Sequence, residues 1–320
     1  MMKNNPYSPI GKLIDIGAQR LHILAAGEGS PTVVLEAGGI SWCLDWHLVQ
    51  TEVAKFTRVC SYDRAGLGWS DSGPRPRSSA QFMVELHELL EKAEIRPPYI
   101  LVGASFGGHT VRLFAKNYPD EVAGVLLLDA RHEALSTQMP TAWQKYEKSG
   151  AAMLRGMLLV SRAGALGAIG KLLGEKAAPP ILHQLPPELR QIYLEIGFQP
   201  KFFQANLDEF AAIAESDRQV SETGSLGNLP LTVIRHGLPT KFARMPTAQA
   251  RQAEQVWQEL QSDLARLSSN SRLLVAEKSG HAVPIDQPGL VVEVVKQMVD
   301  RVSGSPKTSY PGSLEIKGCV

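Results

Sequence analysis

Short apolar runs rich in β-branched residues alternate with amphipathic segments along most of the chain. The runs are bounded by glycine and proline turns and predict strands over 19–26, 32–35, 58–62, 99–102, 122–128, 231–234 and 272–276. Helical periodicity predicts helices over 79–93, 107–117, 248–267 and 290–302. Strand and helix in this succession predict an α/β fold, with a mostly parallel central sheet and helices on both faces.

The alternation stops between residues 130 and 228, where Ala-, Leu- and Gly-rich helical stretches contain no convincing strand. We therefore expect a core from 1–129 and 229–302 that carries a helical lid insert over 130–228. Residues 303–320 have the composition of a loop, so a flexible C-terminal tail is expected there.

The charge balance excludes some partners. The 33 basic and 32 acidic residues give a net charge of +1 without a block of like charges, so no nucleic-acid partner is expected. The chain has neither an N-terminal apolar run nor a long uncharged apolar stretch, which predicts a cytoplasmic protein with no transmembrane segment. A basic amphipathic stretch over 151–173 favours lid helices over the pocket and leaves peripheral membrane contact as the alternative.

The cysteines do not indicate a metal or disulfide framework. Cys43, Cys60 and Cys319 are widely separated singletons without C-x-x-C spacing. No motif in the sequence suggests a metal or an organic cofactor, so neither is expected.

A G-x-S-x-G element lies between a predicted strand and a predicted helix. It reads Gly103-Ala-Ser105-Phe-Gly107, followed by Gly108. The glycines permit a sharp turn and close passage of neighbouring chain, so the serine hydroxyl is pushed out of the turn. This placement predicts that Ser105 is a nucleophile, which needs a base to take its proton.

Three motifs, which also agree in their order along the chain, resemble those of the α/β-hydrolase superfamily, and the resemblance covers residues 10 to 302. They are the Gly103–Gly108 element, the loop Tyr62-Asp-Arg-Ala-Gly-Leu-Gly-Trp-Ser-Asp71, and Ser279-Gly-His281 followed by Asp286-Gln-Pro288. The Tyr62–Asp71 loop resembles the D-R-x-G-x-G-x-S turn of that family and is interpreted as structural. Dehalogenases and epoxide hydrolases of the family carry Asp at the nucleophile position, so Ser105 argues against both activities.

The resemblance also implies a base and an acid. His281 follows the last predicted strand, where the fold presents its histidine; the other seven histidines are assigned surface or packing roles. Many members carry the acid after the strand over 231–234, but residues 235–244 contain neither Asp nor Glu. Asp129, which ends the strand over 122–128 and preserves the order Ser, acid, His, is the preferred acid, with Glu254 and Asp263 as alternatives.

Acyl transfer requires hydrogen-bond donors for the oxyanion. The N–H of Phe106 comes with the turn, and Gly39, in the loop Glu36-Ala-Gly38-Gly39-Ile40, is the candidate for the second donor. Family members often have His-Gly where this chain has Ala37-Gly38. These residues predict a carboxylesterase-like serine hydrolase for a small-molecule apolar or aromatic acyl substrate. The alternative is a catalytically silent relative that binds a small molecule or signals.

Overall fold

The computed structural model describes residues 8–166, 179–239, 242 and 245–304. The remainder of the predicted tail, from 305 onward, and residues 167–173 of the amphipathic stretch lie outside the described residues. Among the helices described, none combines the length and apolarity needed to cross a membrane.

Eight strands form one sheet in the order β1-β2-β4-β3-β5-β6-β7-β8. β1 and β2, and β2 and β4, pair antiparallel, and all other neighbours pair parallel. The strands are β1 Lys12–Asp15, β2 Arg20–Ala26, β3 Thr32–Glu36, β4 Val59–Tyr62, β5 Tyr99–Ala104, β6 Val122–Leu128, β7 Leu231–His236 and β8 Ser271–Ala276. The predicted α/β fold with a mostly parallel sheet is confirmed.

Eleven α-helices are described along the chain. They are α1 His47–Val53, α2 Ser79–Lys92, α3 Gly107–Asn117, α4 Leu135–Gln138, α5 Thr141–Arg162, α6 Pro187–Ile196, α7 Pro200–Ala211, α8 Ile213–Ser221, α9 Thr247–Ala265, α10 Val283–Asp286 and α11 Pro288–Val302. Single 3₁₀ turns lie at Cys43–Trp46, Pro119–Glu121 and Pro180–His183. Between β6 and β7 the described residues form helices and turns, without a strand.

Side chains of the central strands alternate between two hydrophobic cores. Leu101 of β5 packs into the core that also holds α2 and α3, whereas its neighbours Ile100 and Val102 pack into the core that holds α1 and α11. Because successive side chains of a strand point to opposite faces, a strand buried on both faces is apolar throughout. This explains why β5 and β6 appear in the sequence as continuous apolar runs.

The register brings the ends of three parallel strands to one edge of the sheet. Ala104 of β5 pairs with Leu128 of β6, and Leu128 pairs with Ile234 of β7. Ser105 directly follows β5 and Asp129 directly follows β6. The two residues therefore lie side by side at the carboxyl edge of the sheet, where α/β proteins bind their ligands.

A buried ion pair network joins this edge to α7. The Arg64 guanidinium donates to Glu36 Oε1 at 2.7 Å and to both oxygens of Glu209 at 2.9 and 3.0 Å. The Arg64 side chain is 2% exposed, and the Glu36 and Glu209 side chains are no more exposed. Burial opposes the charge of Arg64, but the two carboxylates outweigh it and raise its pKa.

Replacing Arg64 by Met should lower the free energy of unfolding by about 3–5 kcal/mol, because two carboxylates would stay buried without their cation. Equilibrium urea denaturation at neutral pH measures this loss. The matched control is Arg20→Met, which removes an exposed pair with Asp71 and should change stability little. Equal, small effects of both substitutions would contradict the network's structural role.

Candidate active site

Ser105 lies on a tight turn between β5 and α3. Its φ is +49°, a left-handed conformation that costs energy for a residue with a side chain. Small neighbours make room for the turn: a Cβ on Gly103 would lie 2.7 Å from Val111 Cγ2, and one on Gly107 would lie 2.6 Å from the Ala37 carbonyl oxygen. The glycines of the sequence motif therefore permit the close packing that exposes the Ser105 hydroxyl.

His281 lies in the loop between β8 and α10 and faces Ser105. Its Nε2 is 2.9 Å from Ser105 Oγ. Asp286 fixes this loop by accepting the Gly280 N–H at 2.9 Å, and Gln287 Oε1 accepts the Lys278 N–H at 2.7 Å. The Asp-Gln pair noted in the sequence thus holds the histidine loop against the start of the last helices.

Asp129 follows β6 directly and has no exposed surface. Its φ is +44°, a second strained backbone position at the same edge of the sheet. The carboxylate lies 2.5 Å from His281 Nδ1 and accepts the indole N–H of Trp257 at 2.8 Å. Burial would raise the pKa of Asp129, but the hydrogen bonds from His236 and His281 hold it well below its usual range.

The two alternative acids, Glu254 and Asp263, form ion pairs with other residues. Glu254 pairs with His236, its oxygens 3.0 and 3.1 Å from His236 Nε2. Asp263 pairs with Arg266 on the exposed side of α9. The structure therefore places Asp129, and not these two, at His281 Nδ1.

His236, which the sequence analysis assigned a surface or packing role, lies at the centre of the site. The predicted strand ended at residue 234, but β7 continues to His236, whose Nδ1 is 2.8 Å from Asp129 Oδ2. His236 is the last residue of β7, the strand after which many family members carry their acid. The neighbouring strand β6 ends directly before Asp129. That position was the signal available in the sequence.

The loop Glu36–Ile40 is held from two sides. Arg64 donates to the carbonyl oxygens of Ala37 and Gly38, both at 2.7 Å. In a trans peptide the C=O and N–H point in opposite directions, so the Gly39 N–H points away from Arg64. On the other side, the Asn206 side chain of α7 accepts the Ile40 N–H at 2.8 Å.

Gly39 and Phe106 both lie beside Ser105 at the cavity wall. Phe106 precedes the first turn of α3, where backbone N–H groups have no partner within the helix. Among the described residues, neither the Gly39 nor the Phe106 N–H donates a hydrogen bond to another protein group. The two predicted donors are therefore free to bind an oxygen.

Three buried residues, His22 of β2, Cys43 and Asp63, carry side chains of the types that ligate metal ions. Ligand atoms of His22, Cys43 and Asp63 lie within 4.8 Å of one another. However, His22 Nδ1 is 2.9 Å from Asp63, and the other oxygen of Asp63 accepts the Cys43 N–H at 3.0 Å. Burial raises the pKa of the Cys43 thiol well above its usual value, which disfavours the thiolate that a metal requires. The cluster therefore braces the loop from Tyr62 to Asp71.

Two cavities meet at Ser105. The larger cavity has a volume of about 420 Å³ and is also lined by His281. Its walls are apolar side chains of the helices and turns between β6 and β7 and of α10. These are Met153, Leu154, Met157, Ile181, Phe198, Phe202, Phe203 and Ile285. The smaller, about 270 Å³, extends past Phe106 toward Trp143, Tyr146 and Arg131. Ser105, Gly39 and Ile40 line both.

Curated proteins of similar sequence include one of matching size and one much larger protein. The "Probable transporter efuK" of Hormonema carpetanum is 25% identical over 316 residues, which cover 90% of this chain but only 42% of that protein. The "Uncharacterized protein YqjL" of Bacillus subtilis is 28% identical over 266 residues, covering 83% of this chain and 82% of that protein. The chain thus spans less than half of the first relative and most of the second.

Solved structures share the fold. The epoxide hydrolase CorEH superposes with a TM-score of 0.66 at 19% identity, covering 91% of this chain and 98% of its own. A thermophilic esterase from Thermogutta terrifontis superposes with a TM-score of 0.60 at 20% identity, covering 89% of this chain and 94% of its own. The model of the alpha/beta hydrolase family matches residues 27–294, which include β3 through the first part of α11. With that match over most of its length, the chain belongs to the alpha/beta hydrolase family.

Proposed function

We propose that this protein is a serine hydrolase that cleaves an apolar or aromatic acyl ester through an acyl-enzyme on Ser105. The observation that carries the proposal is the hydrogen-bonded chain from Ser105 Oγ through His281 to the buried carboxylate of Asp129. Serine is a poor nucleophile unless a base takes its proton. In this arrangement His281 would be that base, and Asp129 would orient it.

The roles follow from the atoms that face each other. His281 Nε2 takes the proton of Ser105 as Oγ attacks the ester carbonyl, and it then gives that proton to the leaving alcohol. Water then attacks the acyl-enzyme as His281 takes its proton, and His281 returns that proton to Ser105 Oγ as the acyl–oxygen bond breaks and the acid product leaves. Asp129 holds the imidazole with Nδ1 protonated and stabilises the imidazolium that forms in both steps.

The negative charge that develops on the carbonyl oxygen needs donors that are already in place. The N–H groups of Gly39 and Phe106, which lie beside Ser105 at the cavity wall, would supply them. Arg64 and Asn206 hold the Gly39 peptide in one orientation, so little reorganisation would be needed during the reaction. This preorganisation supports acyl transfer as the chemistry of the site.

The walls of the larger cavity support the choice of substrate. Its lining is mostly aliphatic and aromatic, and its volume of about 420 Å³ is in the range of small-molecule sites. Phe202 and Phe203 of α7 are each less than 5% exposed and close the cavity from the side of the helices between β6 and β7. An apolar acyl or aryl group would bury its surface there without leaving a polar group unpaired.

Ser105→Ala should lower turnover of p-nitrophenyl esters by about 10⁴- to 10⁶-fold while the protein stays folded, because the substitution removes the nucleophile and little packing. A fluorophosphonate probe should label the wild type on the tryptic peptide that contains Ser105. Mass spectrometry and steady-state kinetics check both expectations.

The control for this experiment is Ser221→Ala, on the exposed side of α8, which should be labelled like the wild type. Retention of more than about a tenth of the activity in Ser105→Ala would contradict the proposal. A folded wild type that neither reacts with the probe nor turns over esters would favour the silent binding protein instead.

Phe203→Ala should change the preference for acyl-chain length, because it enlarges the larger cavity next to Ser105. We expect kcat/KM for long-chain p-nitrophenyl esters to change more than kcat/KM for the acetate. Phe202→Ala should likewise change kcat/KM for the long-chain esters more than kcat/KM for the acetate. Phe210→Ala, which opens the smaller cavity, is the matched control and should leave the chain-length preference in place. Equal losses on every ester in all three variants would show that these side chains only stabilise the fold.

A further inference from the structure

We propose that His236 is a positioning residue of this site, an imidazolium held between Glu254 and Asp129 whose charge keeps the neighbouring His281 neutral. His281 would then remain a competent base at lower pH. The inference deepens the proposed function and rests on it, since it assigns His281 as the base for Ser105.

Two histidines meet at the same carboxylate oxygen. Asp129 Oδ2 is 2.5 Å from His281 Nδ1 and 2.8 Å from His236 Nδ1. The other oxygen, Oδ1, accepts the Trp257 indole N–H at 2.8 Å and the His236 backbone N–H at 3.2 Å. Asp129 therefore interacts with the base of the site and with a second imidazole at once.

The protonation of His236 follows from what its two nitrogens face. Nδ1 faces Asp129, and Nε2 faces both oxygens of Glu254. A neutral imidazole has one N–H and one lone pair, so it would turn a lone pair toward one of the two carboxylates. Only the imidazolium donates to both, and the side chain is 1% exposed, so water does not compete.

The surrounding charges agree with this assignment. Burial would lower the pKa of His236, but the hydrogen bonds to Asp129 and Glu254 outweigh burial and raise it to about 9. The groups that face the ring are Asp129 at the end of β6, Glu254 and Trp257 of α9, and His281 across Asp129. Arg235, the neighbour on β7, donates to the His236 carbonyl oxygen.

The sign of the effect on His281 follows from electrostatics. Protonating His281 would place a second cation on an oxygen that already holds one. Because both imidazoles contact the same carboxylate oxygen, their charges would be about 6–8 Å apart, and a positive charge at that distance lowers the pKa of the second imidazole by about 1.5 to 2 at an effective dielectric constant of about 20. Removing the charge of His236 should therefore raise the pKa of His281 and move the acid limb of kcat/KM to higher pH.

The test is a pH titration of the imidazole resonances by NMR on the full chain with isotope-labelled histidine, in the wild type and in His236→Asn. Asn places a neutral N–H donor near the position of Nδ1, so the hydrogen bond to Asp129 is retained while the charge is lost. We expect the pKa of His281 to rise by about one unit or more in this variant. Glu254→Gln weakens the hold on the His236 proton but also removes a negative charge, so it should raise the pKa of His281 less than His236→Asn does.

The matched control is Glu259→Gln, the same substitution at an exposed position of α9, which should leave the titration of His281 unchanged. The acid limb of kcat/KM for a p-nitrophenyl ester should shift with the NMR value in each variant. If His236→Asn does not fold, the wild type decides: an imidazole of His236 that stays protonated to higher pH than His281 supports the proposal, and one that loses its proton before His281 contradicts it.

An unchanged titration of His281 in a folded His236→Asn, with only thermal stability lowered, would show that His236 is a structural brace and overturn the proposal. Failure of the proposed function would be seen separately, as a wild type whose Ser105 does not react with the fluorophosphonate probe. The NMR titration does not depend on that reaction, so the two failures are distinguishable.

Discussion

The carboxylate of Asp129 is buried and accepts hydrogen bonds from a strand end, a helix and a loop that are far apart in sequence. A buried carboxylate is strongly unfavourable unless donors satisfy it, and removing one donor costs far more than an exposed ion pair contributes. His281, His236 and Trp257 supply those donors. These hydrogen bonds therefore hold the ends of β6 and β7, Trp257 of α9 and the loop that carries His281 around one carboxylate, and they set the position of His281 relative to Ser105.

A second buried network connects the helices between β6 and β7 to the same edge. Glu209 pairs with Arg64, whose guanidinium holds the carbonyl oxygens beside Gly39, and Asn206 binds the next backbone N–H. Both residues lie on α7, whose Phe202 and Phe203 also wall the larger cavity. One helix thus contributes to the shape of the larger cavity and to the geometry of the loop proposed to bind the oxyanion.

The parts of the fold that sequence could predict are those with a local signal. The apolar runs of β5 and β6 and the amphipathic pattern of α3 are typical of their elements, and the helix over 107–117 has the predicted bounds. β1 was missed because Lys12–Asp15 is short and only partly buried, so it shows neither a continuous apolar run nor a clear alternation. Ser105 and His281 could be singled out because each follows a strand within a short motif.

The rest of the site depends on contacts between distant residues. The sequence predicts only a surface or packing role for His236, because its partners, Asp129 after β6 and Glu254 of α9, are distant in sequence and tertiary packing brings them together. Asn206 lies 166 residues from Ile40, and no local pattern distinguishes it from other polar residues of an amphipathic helix. Sequence motifs thus locate the candidate catalytic residues Ser105 and His281, whereas the residues that hold them in place follow from tertiary packing.

The rate at which a fluorophosphonate phosphonylates Ser105 in Asp129→Asn, relative to the wild type, tests the central role of Asp129 most directly. It requires no knowledge of the native substrate. Asn would favour the wrong tautomer of His281, so the labelling rate should fall by about 10²- to 10⁴-fold in a folded protein. Asp263→Asn, which alters an exposed carboxylate on α9, should label at the wild-type rate. A near-normal rate in Asp129→Asn, above all with a loss in Asp263→Asn, would contradict the account.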